Sequence, residues 1–276
     1  MRVIAGIDCG TGFTKALVIG QSPGGTPHIL GKARVKSGVN ADAAAEEALR
    51  IAVVSARLRR EDVDYIATTG FGRYSVAFRD IQITEITSAA RGVHHLLPEA
   101  ECVLDVGAQS TRAIGIAGGK VKQFKSNDKC AAGSGMFIAR AAKYLEVPLE
   151  TVGEVSLASR HPQPISSVCA VLAESEIINH VSAGVTVEDI FRGIHESLAD
   201  RAGALLRRVG MRDRIALIGG VALQGGIVKA LEERLSVKVD VPPDCEYVCA
   251  LGAALLGAQR LLGKAKETSH AAGVRV

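Results

Sequence analysis

No uninterrupted apolar run in this 276-residue sequence is long enough to cross a bilayer. The longest, Val248 to Ala258, falls far short of the roughly 20 residues a span requires. The opening residues Met-Arg-Val-Ile-Ala-Gly-Ile-Asp read as a strand and lack the basic-then-apolar pattern of a signal peptide. Charge of one sign is not in excess: the net +4 is mild and spread along the chain. The one basic knot, Arg57-Leu58-Arg59-Arg60, closes a helical pattern, where cations suit the helix dipole. These absences exclude a membrane protein and a secreted one, give no support to nucleic-acid binding, and leave a cytoplasmic chain as the expectation. With 47% hydrophobic and 22% charged residues, the composition is that of an ordinary globular protein with ample core.

Several catalytic signatures are missing too. There is no G-x-x-x-x-G-K-[ST] loop, and neither Gly10-Thr11-Gly12 nor Gly133-Ser134-Gly135 completes G-x-G-x-x-G. P-loop and dinucleotide-binding folds are therefore disfavoured. The absence of G-x-S-x-G removes support for serine-hydrolase chemistry. The histidines have no ligand spacing: His94 and His95 are adjacent, while His161, His180 and His195 are scattered, so they read as structural or solvated. Six cysteines in a chain without a leader point to a reducing compartment, where metal or redox roles compete better than disulfides.

Two of those cysteines share a context. Cys130 and Cys169, 39 residues apart, each close a non-periodic stretch and precede small residues that open a helical pattern. At a helix N-terminus, free N–H groups and the dipole favour a thiolate and hence a metal or cluster ligand. Packing as small hydrophobes is the competing reading, and it is preferred for Cys9, Cys102, Cys245 and Cys249. An iron–sulfur cluster usually takes four thiolates. Two cysteines therefore imply either a mononuclear site completed by other residues or a second chain that supplies two more.

The strongest long-range pattern is an internal repeat. Residues 2–9 and 13–20 form two apolar runs around Gly10-Thr11-Gly12, a hairpin with a glycine-rich tip. Without a gap, Asp8, Gly10, Thr14, Lys15 and Ala16 align with Asp105, Gly107, Thr111, Arg112 and Ala113. Two strand–Asp-x-Gly–strand hairpins 97 residues apart suggest two similar lobes, each contributing an acid. Glycine N–H groups and Lys15 suit phosphate oxygens, and the two carboxylates suit a hydrated magnesium ion. Gly219-Gly220, where a buried strand over 215–218 runs into a helix, allows the close approach an adenosine needs; tight helix–strand packing is the alternative. Glu85, in an apolar frame, is a candidate for positioning water or magnesium, or a solvated strand-edge glutamate. Helical patterns over 42–58, 90–97, 133–147, 170–182, 186–209, 223–235 and 246–263 alternate with strands over 63–69 and 237–241, an α/β arrangement.

Taken together, these residues resemble the ATPase family that contains activators of 2-hydroxyacyl-CoA dehydratases and ATP-binding subunits of ATP-dependent benzoyl-CoA reductases, within the acetate kinase, sugar kinase, actin and heat-shock chaperone superfamily. The resemblance spans about residues 3–258 and rests on 6–15, Thr69-Gly70-Phe71-Gly72-Arg73, Glu85 with Ala90-Arg91-Gly92, 127–135, 165–176 and Gly219-Gly220-Val221-Ala222. It implies a two-lobed actin-like α/β ATPase of duplicated ribonuclease H-like domains, with the nucleotide in the inter-lobe cleft. One lobe would be residues 1–86 plus about 250–276, the other 87–249. It also implies ATP or ADP held through Gly10, Thr11, Gly12, Thr14, Lys15, Gly107 and Gln109, with Gly219, Gly220 and Gln224 on the adenosine side. Asp8, Asp105 and Glu85 would be the catalytic acids around Mg2+, and Cys130 and Cys169 would share a [4Fe–4S] cluster with a second ATPase-like subunit. A ferredoxin-type donor would supply electrons, and the acceptors would be catalytic iron–sulfur acyl-CoA reductase or dehydratase subunits.

The second phosphate motif, usually D-[IV]-G-G-Q-D in that family, reads Asp105-Val106-Gly107-Ala108-Gln109-Ser110 here, and Leu223-Gln224 stands where Arg-Asn usually follows G-G-V-A. Such drift points towards one of two unequal subunits of a benzoyl-CoA reductase rather than a homodimeric dehydratase activator. A small-molecule kinase using Asp105 or Glu85 as base, or a paralogue that binds nucleotide without turnover, are the readings from other classes.

Overall fold

The computed structural model describes residues 1–22, 24–127, 134–166 and 169–273. The chain forms two compact units, Met1–His95 with Tyr247–Val276, and Leu96–Glu246.

In the first unit, β1 (Arg2–Cys9) and β2 (Phe13–Gln21) form an antiparallel hairpin, with β3 (His28–Lys36) added on the far side of β2. The strand β4 (Tyr65–Thr69) runs parallel to β1, and the short β5 (Ile81–Gln82) completes the order β3-β2-β1-β4-β5. From Val3 to Cys9, β1 is buried without a break, as expected of a strand covered on both faces. One cover is α1 (Ala41–Ser55), started by the Asn40 side chain accepting from the Ala43 N–H, with Ala44, Ala45, Ala48, Leu49, Ala52 and Val53 turned inward. Another is α8 (Val248–Gly273), pressed so close to β1 that a Cβ on Gly6 would lie 1.9 Å from the Ala250 carbonyl oxygen. By length and composition Cys245–Gly263 is apolar enough to cross a membrane, yet 67% of that window is buried inside the protein. The uninterrupted run is short because polar residues recur along the helix; the apolar face is core.

The second unit repeats the plan. A hairpin of β6 (Cys102–Val106) and β7 (Thr111–Ala117) is extended by β8 (Lys120–Asn127). Parallel β9 (Ile215–Ile218) and β10 (Val239–Asp240) follow on the other side of β6, in the order β10-β9-β6-β7-β8. Between β8 and β9 lie α3 (Gly135–Tyr144), α4 (Val152–Leu157), α5 (Ala170–Ser182) and α6 (Val187–Arg208), and α7 (Gly225–Leu235) connects β9 to β10. The longest of these, α6, is capped by the Thr186 hydroxyl, carries Glu188 and Asp189 in its first turn and Arg207 and Arg208 in its last, and so matches its own dipole. Ile190, Phe191, Ile194, Leu198, Ala199 and Ala202 place it at the centre of this core.

Some details differ from the sequence expectation. Glu85 is the first residue of α2 (Glu85–Leu96) and not a strand-edge glutamate, because Thr84 and Thr87 pair their hydroxyls across the first turn at 2.8 Å and start the helix before the apolar periodicity becomes visible. The third strands do not stand out in sequence: β3 turns the small residues Gly31 and Ala33 inward, and β8 is exposed over most of its length.

Candidate functional site

Each hairpin puts an acid at the end of a buried strand. Asp8 faces Lys15 across the β1–β2 register, with Lys15 Nζ 2.9 Å from Asp8 Oδ2, and Asp105 faces Arg112 across β6–β7 at 3.5 Å. Both acids are only 7% exposed, and each has a cationic side chain beside it, as a buried carboxylate requires.

The first hairpin's turn, with Gly10, Thr11 and Gly12 half-buried, is fastened from the residue after β3. Ser37 Oγ donates to the Gly10 carbonyl at 2.5 Å and lies 2.9 Å from Thr14 Oγ1, while the Ser37 N–H bonds the Gly12 carbonyl. Thr14 is thus wholly buried, bracing the turn. After β4, Gly70 adopts φ +89°, and a Cβ there would lie 2.6 Å from Asp8 Oδ1 and 2.6 Å from the Cys9 carbonyl. Arg73 ties this loop down, donating to the Gly70 carbonyl at 2.8 Å and to Glu85 Oε2 at 2.9 Å. Sequence reasoning misses Ser37 and the Arg73–Glu85 pair as parts of the site.

In the second hairpin the Gly107 N–H bonds the Ser110 carbonyl at 2.9 Å, and Gln109 is exposed at the tip. Gly219 repeats the part of Gly70: its φ is +93°, and a Cβ would lie 2.4 Å from the Val106 carbonyl and 2.9 Å from Asp105 Oδ1. A Cβ on Gly220, by contrast, would meet nothing within 4 Å, so a ligand can approach that backbone. The 3-10 turn Gly220–Leu223 then leads to Gln224, whose side chain is buried and turned inward, Oε1 lying 2.9 Å from His195 Nε2. The start of α3 is bonded to the tip of this hairpin, Gly135 N–H to the Gly107 carbonyl at 2.9 Å and Met136 N–H to the Ala108 carbonyl at 2.8 Å.

Cys169 is the N-cap of α5, in extended backbone, and half-buried. Cys130 lies outside the described residues. Cys9, Cys102, Cys245 and Cys249 are buried, and burial pushes three of their thiols away from ionisation: Cys9 to about 12, with Asp8 adding to the effect, Cys245 to about 11, and Cys102 upward. A thiolate cluster therefore finds, among the described residues, one suitable donor in Cys169. Its helix-start position suits such a ligand, and four thiolates would require further donors beyond those residues. Among the described residues no three His, Cys, Asp or Glu side chains gather into a metal site. Magnesium does not need one, since it takes one or two carboxylates and keeps its waters. Within the second unit, the open backbone at Gly220 and the acid-and-cation hairpin around Asp105 fit a magnesium nucleotide.

Two copies of a five-stranded mixed sheet, each with an Asp-x-Gly hairpin and a positive-φ glycine closing on its acid, define the actin-like ATPase class. The chain belongs to the BadF/BadG/BcrA/BcrD ATPase family, whose profile matches residues 5–257. It is 41% identical to a benzoyl-CoA reductase chain of Thauera aromatica over 269 residues, 94% of each chain. The solved activator of 2-hydroxyisocaproyl-CoA dehydratase from Clostridium difficile, with ADPNP bound, superposes with TM-score 0.90 at 33% identity, covering 96% of this chain and 98% of that one. Component A of (R)-2-hydroxyglutaryl-CoA dehydratase from Acidaminococcus fermentans gives 0.89 at 34% identity, covering 94% and 99%.

Proposed function

We propose that this chain is an ATP-hydrolysing iron–sulfur subunit that drives low-potential electron transfer onto an acyl-CoA-reducing partner, as a subunit of an ATP-dependent benzoyl-CoA reductase. The observation that carries the reading is the coexistence, within the second unit, of a phosphate-type hairpin around Asp105 and a half-buried cysteine at the head of α5. Asp8, paired with Lys15, and Asp105 are the acids for hydrated magnesium. The N–H groups of Gly10, Thr11 and Gly12, with the Gln109 amide, take phosphate oxygens, while Gly107, its own N–H bonded to the Ser110 carbonyl, shapes the second turn. Thr14 braces the first turn through Ser37. Glu85, held by Arg73, orients the Gly70 loop towards the attacking water. Gly219 and Gly220 let the adenosine approach, and Gln224 anchors that turn from behind. Cys169 and Cys130 hold half of a [4Fe–4S] cluster whose other two thiolates come from a second ATPase-like subunit; when bound, that cluster supplies the electron. Val171, Leu172, Ile178 and Val181, exposed along α5, give the second subunit an apolar surface beside Cys169.

The identity to the reductase chain and the drift at Ala108, Ser110, Leu223 and Gln224 favour the reductase reading. The two activator structures support a homodimeric dehydratase activator as the second reading. Anaerobic purification from the native source, followed by native mass spectrometry with iron and sulfide assays, separates them. Four irons shared by two different ATPase-like chains with further subunits is the expected result. Four irons in a dimer of this chain alone would establish the activator, and an iron-free protein with sugar- or acid-kinase activity would overturn both.

A further inference from the structure

Cys169 is reached through an extended strap, residues 159–166, that is bonded along its length to α6. Asp189 Oδ1 accepts from Ser159 Oγ at 2.7 Å, the Arg160 N–H at 3.0 Å and the His161 N–H at 2.8 Å. The Gln163 N–H bonds the Asp189 carbonyl at 3.2 Å, and Ser197 Oγ donates to the Ser166 carbonyl at 3.2 Å. Gly193 lets the strap lie directly on the helix, since a Cβ there would be 1.8 Å from the Gln163 carbonyl oxygen. Asp189, Gly193 and Ser197 are spaced i, i+4, i+8 and form one stripe. The strap is also fastened to α5, with the Ser166 N–H donating to Glu176 and His180 Nε2 lying 3.2 Å from the Pro164 carbonyl. Strap and cysteine helix are therefore one body resting on α6.

About 160° round α6 from that stripe stands His195, completely buried. Gln224 Oε1 can only accept, so His195 Nε2 carries the proton, and Nδ1 accepts from Ser156 Oγ at 2.7 Å. The Gln224 Nε2 group reaches the Leu149 carbonyl at 3.5 Å, consistent with this amide orientation. Room for the imidazole depends on Gly226, whose Cβ would lie 2.6 Å from His195 Nδ1. Gln224 ends the turn that begins at Gly219, the glycine packed against Asp105.

We propose that α6 couples the nucleotide turn to the cluster cysteine: His195 positions the Gly219–Gln224 turn on one side of the helix, and Asp189, Gly193 and Ser197 position the strap to Cys169 on the other. This rests on the reading of that turn as part of the nucleotide site and of Cys169 as a ligand. His195 and Asp189 are positioning residues; neither is asked to touch nucleotide or metal. Adjacency alone does not establish coupling, and a measured response at one end to a change at the other does.

The test uses the full iron-free chain, with Cys169 alkylation followed by peptide mass spectrometry in magnesium ADP and in a magnesium complex of a non-hydrolysable ATP analogue, each saturating. The expected wild-type result is a difference in Cys169 alkylation rate of about five-fold or more between the two nucleotides. H195L removes that difference and weakens ADP binding, whereas H195Q, which keeps a donor near the Nε2 position, restores both. D189A removes the difference while leaving ADP affinity within about two-fold, and D189N, which keeps an acceptor oxygen, recovers part of it. S156A and S197A each delete one hydrogen bond and carry the test if H195L does not fold; both reduce the difference. A wild-type chain that binds both nucleotides with the same Cys169 reactivity, or variants that all keep the wild-type response, overturns the α6 coupling and leaves the nucleotide reading standing. A wild-type chain that binds neither nucleotide overturns the reading and the coupling together.

Discussion

The two sheets share strand order, hairpin register and a positive-φ glycine, and they differ in what is hung between their third and fourth strands. The first unit places α1 there and packs it flat on the sheet. Among the described residues, the second places α3, α4, α5 and α6 there, with Cys169 at the head of α5. The hairpins differ accordingly. Around Asp8 the fastening is tight, with Lys15 at 2.9 Å, Ser37 under the turn and Arg73 holding the Gly70 loop. Around Asp105 the cation stands at 3.5 Å, while the tip is bonded to the start of α3. One copy of the scaffold is braced against itself; the other is braced against the start of α3. A duplicated scaffold can thus keep the same acid, cation and glycine in both halves and fasten them differently.

The most severe way to break this comparison is to remove the acids. Asp8→Asn and Asp105→Asn are each expected to lower ATP hydrolysis by about 100-fold or more, measured as phosphate release with the partner subunits present. Full turnover in either variant would show that the hairpins are not equivalent. Next come the paired glycines. Gly70→Ala and Gly219→Ala force a side chain into a positive-φ position and onto a carbonyl, at a cost of about 2–4 kcal/mol each, read as lower melting temperatures. A variant that melts like wild type would contradict the close approach at that copy.

Acid should separate the units. Burial holds the His195 pKa down to about 4, from 6.5 in an unfolded chain. Between these values the unfolded state takes up the proton first. The stabilisation from neutral His195 is complete above pH 6.5 and lost as pH falls towards 4, by up to about 3 kcal/mol. Asp189, held at about 2 by the Ser159 hydroxyl and the His161 N–H, contributes above pH 3.8 and is lost as pH falls through 2. Hydrogen exchange between pH 7 and 4 should therefore show the second unit loosening first, and H195Q should flatten that slope; equal loosening of both units would refute it. The smallest effect is expected from Arg140→Ala. Its 2.9 Å ion pair with Glu174 joins α3 to α5 but is half in solvent, so the loss is within about 1 kcal/mol by thermal melting.

The parts of this architecture that are readable in the residues are the ones encoded locally. Asp8 with Gly10 and Asp105 with Gly107 declare themselves because a hairpin keeps its acid, turn and cation within eight residues. The small residues after Cys169 mark a helix start, and α5 does begin there. What resists reading depends on pairs made by folding. His195 looks structural, and it is buried; its partners Ser156 and Gln224 are 39 and 29 positions away, and no spacing announces them. Asp189 looks like an ordinary first-turn acid, since its three donors lie about 30 residues upstream. Ser37 supports a turn 27 residues earlier. Gln224 draws attention as a residue near adenosine, and its side chain meets His195, 29 positions upstream, a pairing no local pattern announces.

The β8 strand has a consequence for how the protein stays in solution. It forms an outer edge of its sheet, with Lys120 and Lys125 exposed, Lys122 beside them, and a register shift opposite Gly115 and Ile116 in β7. Charged ammonium groups and an irregular ladder make a poor template for a further strand. Fibrillar growth and illicit sheet-to-sheet pairing are thereby discouraged at this edge, even though Phe124 stands exposed in the middle of it. An edge of this kind blunts strand-to-strand growth at the rim of the sheet.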